Sequence, residues 1–184
     1  MCAIFMIKTK KALIVIDVQN YFINEHTEQI PGKIAEYIRT NKSEYEIVLF
    51  TKFVNSDKSN FFRSHGWDKC AESPETDIHH TLTRIVDNGN SHVFVKDTFS
   101  AFKNEKLVGL LRENGITEIH LCGTDTEACV LSSAYDAFDL GFKVKVLTDL
   151  CGTMNGAEFH ESAKKIIEWT FERPTANNAR KTMP

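Results

Sequence analysis

Five short apolar runs constrain this chain more than any other feature: ALIVID (12–17), EIVLFT (46–51), HVFVK (92–96), EIHLCG (118–123) and KVKVL (143–147). Each is apolar or β-branched on nearly every residue, as expected of strands buried on both faces of a sheet. Helical patterns lie between them. One runs from about Thr27 to Thr40, with Ile30, Ile34, Tyr37 and Ile38 on one face. Others run from Glu105 to Glu113, stopped by Asn114-Gly115, from Glu127 to Leu140 before Gly141, and from Ala157 to Phe171. Strands alternating with helices on short connections predict an α/β fold, a three-layer α/β/α sandwich around a mainly parallel sheet of five or six strands.

Bulk properties narrow the function classes. At 184 residues the chain fits one domain over 1–184, with flexible ends expected at 1–10 and 174–184. Its 22 basic and 25 acidic side chains leave a net charge of -3 and no basic block, so no nucleic-acid partner is expected. No apolar run reaches the ~20 residues that span a bilayer, so no membrane is expected either. The opening MCAIFM has no basic residue ahead of it, which argues against a signal peptide, and Met6 is an alternative start. Five cysteines without a C-x-x-C pair suit neither a disulfide framework nor a zinc ribbon; the expected compartment is the reducing cytoplasm.

Ligands of open parallel sheets sit at the carboxyl ends of the strands. There the first strand ends in Asp17, the third ends in Lys96, and the fourth leads through GTDTEAC to Cys129. Singly, each has a bland reading: a turn cap, a solvated lysine, a packed cysteine. Together they supply a proton carrier, a cation and a thiol. With Thr126 as N-cap, Cys129 would fall at the third helical position, where free amides and the helix dipole favour a thiolate. The interval from Lys52 to Ser91 is too long for a mere connection and predicts a functional loop, with a helical turn starting at Ser73 and Pro74. Cys122 reads as strand packing. Cys2, Cys70 and Cys151 suggest no chemistry, and His26, His65, His92, His120 and His160 read as surface or structural.

Three motifs then coincide in order: D-x-Q-N-x-F (Asp17, Gln19, Asn20, Phe22), K-x-x-x-S-A-F (Lys96, Ser100, Ala101, Phe102) and G-x-x-T-x-x-C-V (Gly123, Thr126, Cys129, Val130). From about Lys11 to Phe171 the chain resembles the isochorismatase-like cysteine hydrolases, which include nicotinamidases and N-carbamoylsarcosine amidase. The resemblance implies a Rossmann-like sandwich and a catalytic triad of Asp17, Lys96 and Cys129. It also implies a cis peptide between Thr124 and Asp125, and an oxyanion hole made by the backbone N–H groups of Asp125 and Cys129. The Asp125 carboxylate, beside an anionic centre, should point away or pair with a cation.

The implied reaction is hydrolysis of a small amide, carbamoyl or ureido bond through an acyl-enzyme on Cys129, in a homodimer or homotetramer, without a cofactor. Phe22, Phe53, Trp67 and Phe102 are the expected pocket walls, with Phe62 an alternative to Trp67. Nicotinamidases hold a metal through an Asp-x-His after the second strand, where this chain has Phe53 and Asn55. No metal is therefore expected; Asp77, His79 and His80 are the alternative ligands, expected in a helical turn. Two rival readings are a redox-active or peroxide-sensing thiol protein and a silent binding member of the superfamily.

Overall fold

Strand β1 (Lys11–Ile16) forms the centre of a five-stranded, all-parallel sheet in this computed structural model, which describes residues 9–86 and 91–172. It lies between β2 (Ile47–Phe53) and β4 (Glu118–Thr124); β3 (Ser91–Lys96) and β5 (Lys143–Gly152) are the edges. Leu13, Ile14 and Ile16 are sealed from solvent, because the sheet is covered on both faces. Among the described residues six α-helices accompany it: α1 (Ile30–Asn41), α2 (Asn60–His65), α3 (His80–Val86), α4 (Glu105–Glu113), α5 (Leu131–Asp139) and α6 (Ala157–Phe171).

The order β3-β2-β1-β4-β5 decides where a site can form. The chain winds outward from β1 to β3, then returns to β4 and winds the other way. Right-handed crossovers place α1 and α3 on one face of the sheet and α4 and α5 on the other. The two halves part between β1 and β4, and the crevice opens at their carboxyl ends. There Gly123 pairs with Ile16 at φ 122, its Cα so close to the Ile16 backbone that a Cβ would have no room.

Several expected boundaries move for identifiable reasons. Helix α1 starts at Ile30 because the Thr27 hydroxyl, buried, donates to the Phe22 carbonyl at 2.8 Å and holds the preceding turn. The expected helix from Glu127 to Leu140 is a π-helical turn, Thr126–Val130, followed by α5. Pro74 opens no helix: the Ser73–Pro74 bond is cis and sits in a turn. Asp77 to His79 is not a helical turn either, because Ile78 bridges Gln19 as an isolated antiparallel pair. A sixth strand would fall in the tail, outside the described residues, as do Cys2 and most of the expected flexible ends. Among the described residues no helix is long and apolar enough to cross a membrane.

Candidate active site

Asp17 leaves β1 at φ 48, a left-handed conformation that few residues other than glycine adopt. Two threonines hold it there. Thr51 at the end of β2 accepts the Asp17 N–H at 3.1 Å and donates its hydroxyl to Oδ1 at 2.6 Å. Thr124 at the end of β4 donates to the Asp17 carbonyl at 2.8 Å. The carboxylate is thereby turned into the crevice, wholly buried.

Lys96, the last residue of β3, reaches back across β2 to meet it. Its Nζ lies 2.5 Å from Asp17 Oδ2, an ion pair off the line of a good hydrogen bond. It also donates to the Thr98 carbonyl at 2.8 Å and to Cys129 Sγ at 3.4 Å. Two hydrogen bonds and one ion-pair contact thus hold this ammonium. Nζ also stands 5.2 Å from the centre of the Phe53 ring, within cation–π range. Burial works to lower the Lys96 pKa, but the Asp17 carboxylate, with the Cys129 sulfur, outweighs it and the net shift is upward. The lysine is a fixed cation.

Cys129 differs from expectation in its resting state. Burial pushes its thiol far above the ordinary range, Lys96 opposes that, and Asp17 adds to it. The turn geometry also differs. Asp125, not Thr126, is the N-cap residue, and its carbonyl accepts the N–H groups of both Ala128 and Val130. Cys129 is thus the fourth residue of a π turn, while Thr126 Oγ1 bonds His160 Nδ1 at 2.9 Å. A helix-end effect large enough to ionise the thiol is absent at rest, because burial wins and Asp17 already neutralises Lys96. The arrangement is a protonated thiol beside a carboxylate able to receive its proton.

The Thr124–Asp125 peptide is cis. Among the described residues the Asp125 side chain pairs with no cation; Oδ1 accepts the Met154 N–H at 3.0 Å. Burial raises its carboxyl pKa to about 7, the Met154 hydrogen bond opposes this, and Glu127 and Asp17 reinforce it.

Of the four expected wall residues the structure brings three together. Phe22 and Phe53 form an apolar cluster apart from the main core, with Trp67, Tyr21, Phe61 and Met154 packed on it. The Phe53 ring lies 6.4 Å from Phe22, 5.6 Å from Trp67 and 5.0 Å from Phe61. Phe102 is not part of it: it packs in the main core against Phe142 at 6.1 Å. Phe62 is largely exposed on α2, and its neighbour Phe61 takes the place considered for it. A groove of about 530 Å³, lined by Phe61, Thr98, Phe99, Ser100 and Tyr135, runs beside the site without reaching Cys129. Thr98 joins the two, since its carbonyl binds the Lys96 ammonium.

Sequence reasoning missed the residues that brace this site. Gln19 is wholly buried; its amide donates to the Phe53 and Thr76 carbonyls at 2.8 Å each and its oxygen accepts the Phe53 N–H. It locks the ends of β1 and β2 to the long loop. Thr51, visible only as a polar residue ending an apolar run, was the available signal for an Asp17 partner.

The donor set at the nicotinamidase metal position does not fit a metal. Phe53 carries no donor atom. Asn55 spends its amide on the Trp67 and Lys69 carbonyls, and its oxygen on Ser56 N–H and Ser59 Oγ. Asp77 accepts from Ser73 Oγ at 2.7 Å and lies 3.9 Å from Lys52 Nζ, while His79 Nδ1 faces the Thr81 N–H.

A family model for the isochorismatase domain matches residues 11–179. The chain belongs to the isochorismatase family. It is 28% identical over 164 residues to Nicotinamidase 3 of Arabidopsis thaliana, covering 87% of this chain and 81% of that one. Its fold matches the crystal structure of nicotinamidase PncA from Bacillus subtilis with a TM-score of 0.79 and 26% identity, covering 89% and 97% of the two chains. The zinc complex of Pyrococcus horikoshii pyrazinamidase matches with a TM-score of 0.73 and 26% identity over 88% and 96%. With this family, the chain is a hydrolase acting on carbon–nitrogen bonds.

Proposed function

We propose that this family member cleaves a small amide, carbamoyl or ureido bond through a covalent acyl-enzyme on Cys129, with no step that needs a metal. The observation that carries the reading is one buried ammonium, Lys96, touching both the Asp17 carboxylate at 2.5 Å and the Cys129 sulfur at 3.4 Å. As substrate displaces water, Asp17 takes the thiol proton and Lys96 stabilises the thiolate that remains. The sulfur attacks the carbonyl carbon, and the N–H groups of Asp125 and Cys129 receive the developing oxyanion. Asp17 then gives its proton to the leaving nitrogen as the C–N bond breaks. A water, deprotonated by Asp17, cleaves the thioester and restores the thiol.

The aromatic cluster of Phe22, Phe53, Phe61 and Trp67 supports a small substrate with an apolar or planar body. The ring of Phe53 under Lys96 excludes the nicotinamidase arrangement of metal ligands from that wall, so nicotinamide is a poor substrate in this reading. A homodimer or homotetramer belongs to the same proposal, with the exposed rings of Phe138 and Phe159 as candidate contact points.

The test is a panel of small amides and ureas assayed for ammonia release beside Cys129→Ala. Intact-protein mass spectrometry during turnover should show an acyl adduct on the wild type and none on the variant. Ammonia release that survives Cys129→Ala would end the proposal.

A further inference from the structure

Asp125 brings more to the site than its backbone N–H. Its side chain is held by one bond, from the Met154 N–H to Oδ1, while Oδ2 is bonded to no described residue. Nor is Oδ2 sealed from solvent in the way that Glu127 Oε2 is. The residue is only partly exposed, at the first position after the cis peptide and bonded to Met154, which packs on the aromatic cluster.

The charged groups that act on it are Glu127 on the π turn and Asp17 after β1; Lys96 and Cys129 are reached through Asp17 and through each other, and His160 on α6 is bonded to Thr126. Lys96 is neutralised by Asp17. Glu127 Oε1 takes hydrogen bonds from Thr153 Oγ1 at 2.7 Å and Asn155 Nδ2 at 2.8 Å, both uncharged. The acids acting on it are therefore uncompensated: no lysine or arginine among the described residues pairs with Asp125. A bare carboxylate beside a developing oxyanion opposes the reaction unless the substrate itself brings positive charge or an N–H donor to it.

Building on the hydrolase reading, we propose that the Asp125 side chain sets substrate charge: Oδ2 accepts a hydrogen bond from a substrate N–H, so cationic and neutral N–H-rich amides or ureides are admitted and anionic ones are repelled. Asp125 is then a specificity residue distinct from the Asp17, Lys96 and Cys129 chemistry. Its carboxyl, raised by burial to about 7, ionises within the working pH range, so the preference for cations strengthens as pH rises through that value.

The test uses the Cys129 thiol as a reporter, with three methanethiosulfonates carrying a 2-aminoethyl, a methyl or a 2-sulfonatoethyl group. Rates are divided by those for glutathione, which removes intrinsic reactivity, and thiol ionisation cancels in the ratio. The cation-to-anion ratio for the wild type should exceed one by at least about tenfold at pH 8 and shrink at pH 6. Asp125→Asn keeps an oxygen for the Met154 N–H but loses the charge; it should abolish both the excess and its pH step. Glu127→Gln should keep both.

An Asp125→Asn protein with the wild-type ratio, a wild type with no charge preference, or a Cys129 closed to all three reagents would each overturn the proposal. If that variant does not fold, Asp125→Ser, which also lacks the charge, takes its place in the same comparison. None of these rates needs turnover. A charge preference at Cys129 without amide hydrolysis would defeat the hydrolase reading and leave this one standing; hydrolysis indifferent to substrate charge would do the reverse.

Discussion

Two buried polar networks lie at opposite ends of the central strands, and they are built from similar parts. At the amino edge of β4, Glu118 and His120 share a hydrogen bond of 2.7 Å, and Lys143 meets the other Glu118 oxygen at 2.9 Å. His120 Nδ1 is bonded to Tyr45 at 2.8 Å, and Tyr45 to Tyr37 at 2.7 Å. With a neutral imidazole, every proton in that chain has one acceptor. At the carboxyl edge, Asp17, Lys96 and Cys129 are as deeply buried, yet Asp17 sits in a rare backbone conformation and its Oδ2 lacks an aligned donor. One network is closed on itself. The other is open by one proton and one carboxylate oxygen, and incompleteness in a buried network is what leaves room for a substrate.

The largest effect that separates the two edges is on rate. Cys129→Ala and Asp17→Asn should each lower kcat by about 10³-fold or more, since one removes the nucleophile and the other the proton carrier. Tyr45→Phe, in the closed network, should leave kcat unchanged. Steady-state kinetics on the three variants is the check, and a slow Tyr45→Phe enzyme would erase the distinction drawn between the edges.

Next in size is a stability effect at the open edge. Lys96→Met strands the Asp17 carboxylate in a buried site and should cost about 3–5 kcal/mol in denaturant unfolding. Adding Asp17→Asn to it should return much of that loss, because the uncompensated charge disappears. Additive losses in the double variant would mean the two side chains are not a coupled pair.

The closed edge should show a smaller loss with a pH signature. Tyr45→Phe removes the partner of His120 Nδ1 and should cost about 1–3 kcal/mol. Burial depresses the His120 pKa below 6.5 in the folded protein, with Glu118 opposing. The unfolded chain therefore takes up the proton first, and stability falls as pH drops through about 6.5. Glu118 acts in the same direction at lower pH: its folded pKa is depressed, as Lys143 and His120 outweigh the burial that would raise it. Guanidinium unfolding from pH 7.5 to pH 5.5 measures the fall, and a His120→Phe protein should lose the His120 part of it.

What could be read from the residues divides along the same line. The central strands β1, β2 and β4 were legible because burial on both faces writes itself as continuous apolar runs; the edge strands β3, with Val93 and Val95 exposed, and β5, with alternating burial, were legible from their β-branched residues instead. The order of motifs at the strand ends singled out Asp17, Lys96 and Cys129 for one edge. Hydrogen-bond partners were not legible. Gln19 and Thr51 act across strands 34 residues from their partners, and no local pattern records that. Phe102, an expected wall residue, is buried by the single turn Ala101–Lys103 in the main core, apart from the aromatic cluster. The elevated Cys129 thiol was missed for a related reason: sequence shows the nearby lysine and helix, but not the burial that outweighs them.

The smallest expected effect is none at all, and it bears on the wall between the thiol and the long loop. Metal chemistry there would need donors from the residues after β2. Phe53 offers a ring, which packs on Phe22, Phe61 and Trp67 and carries Lys96 above it. Asn55 is drawn into the loop by four hydrogen bonds, so turning it toward a cation would break the anchorage of Trp67 and Ser59 together. Hydrolysis should therefore keep its rate, within about twofold, after exhaustive chelation, and added zinc or iron should not raise it. Zinc can only lower the rate in this scheme, by capturing the thiolate once Asp17 has taken its proton. Activity lost to a chelator and restored by one metal would show that donors outside Phe53 and Asn55 complete the site, and elemental analysis of the restored protein would say how many ions they hold.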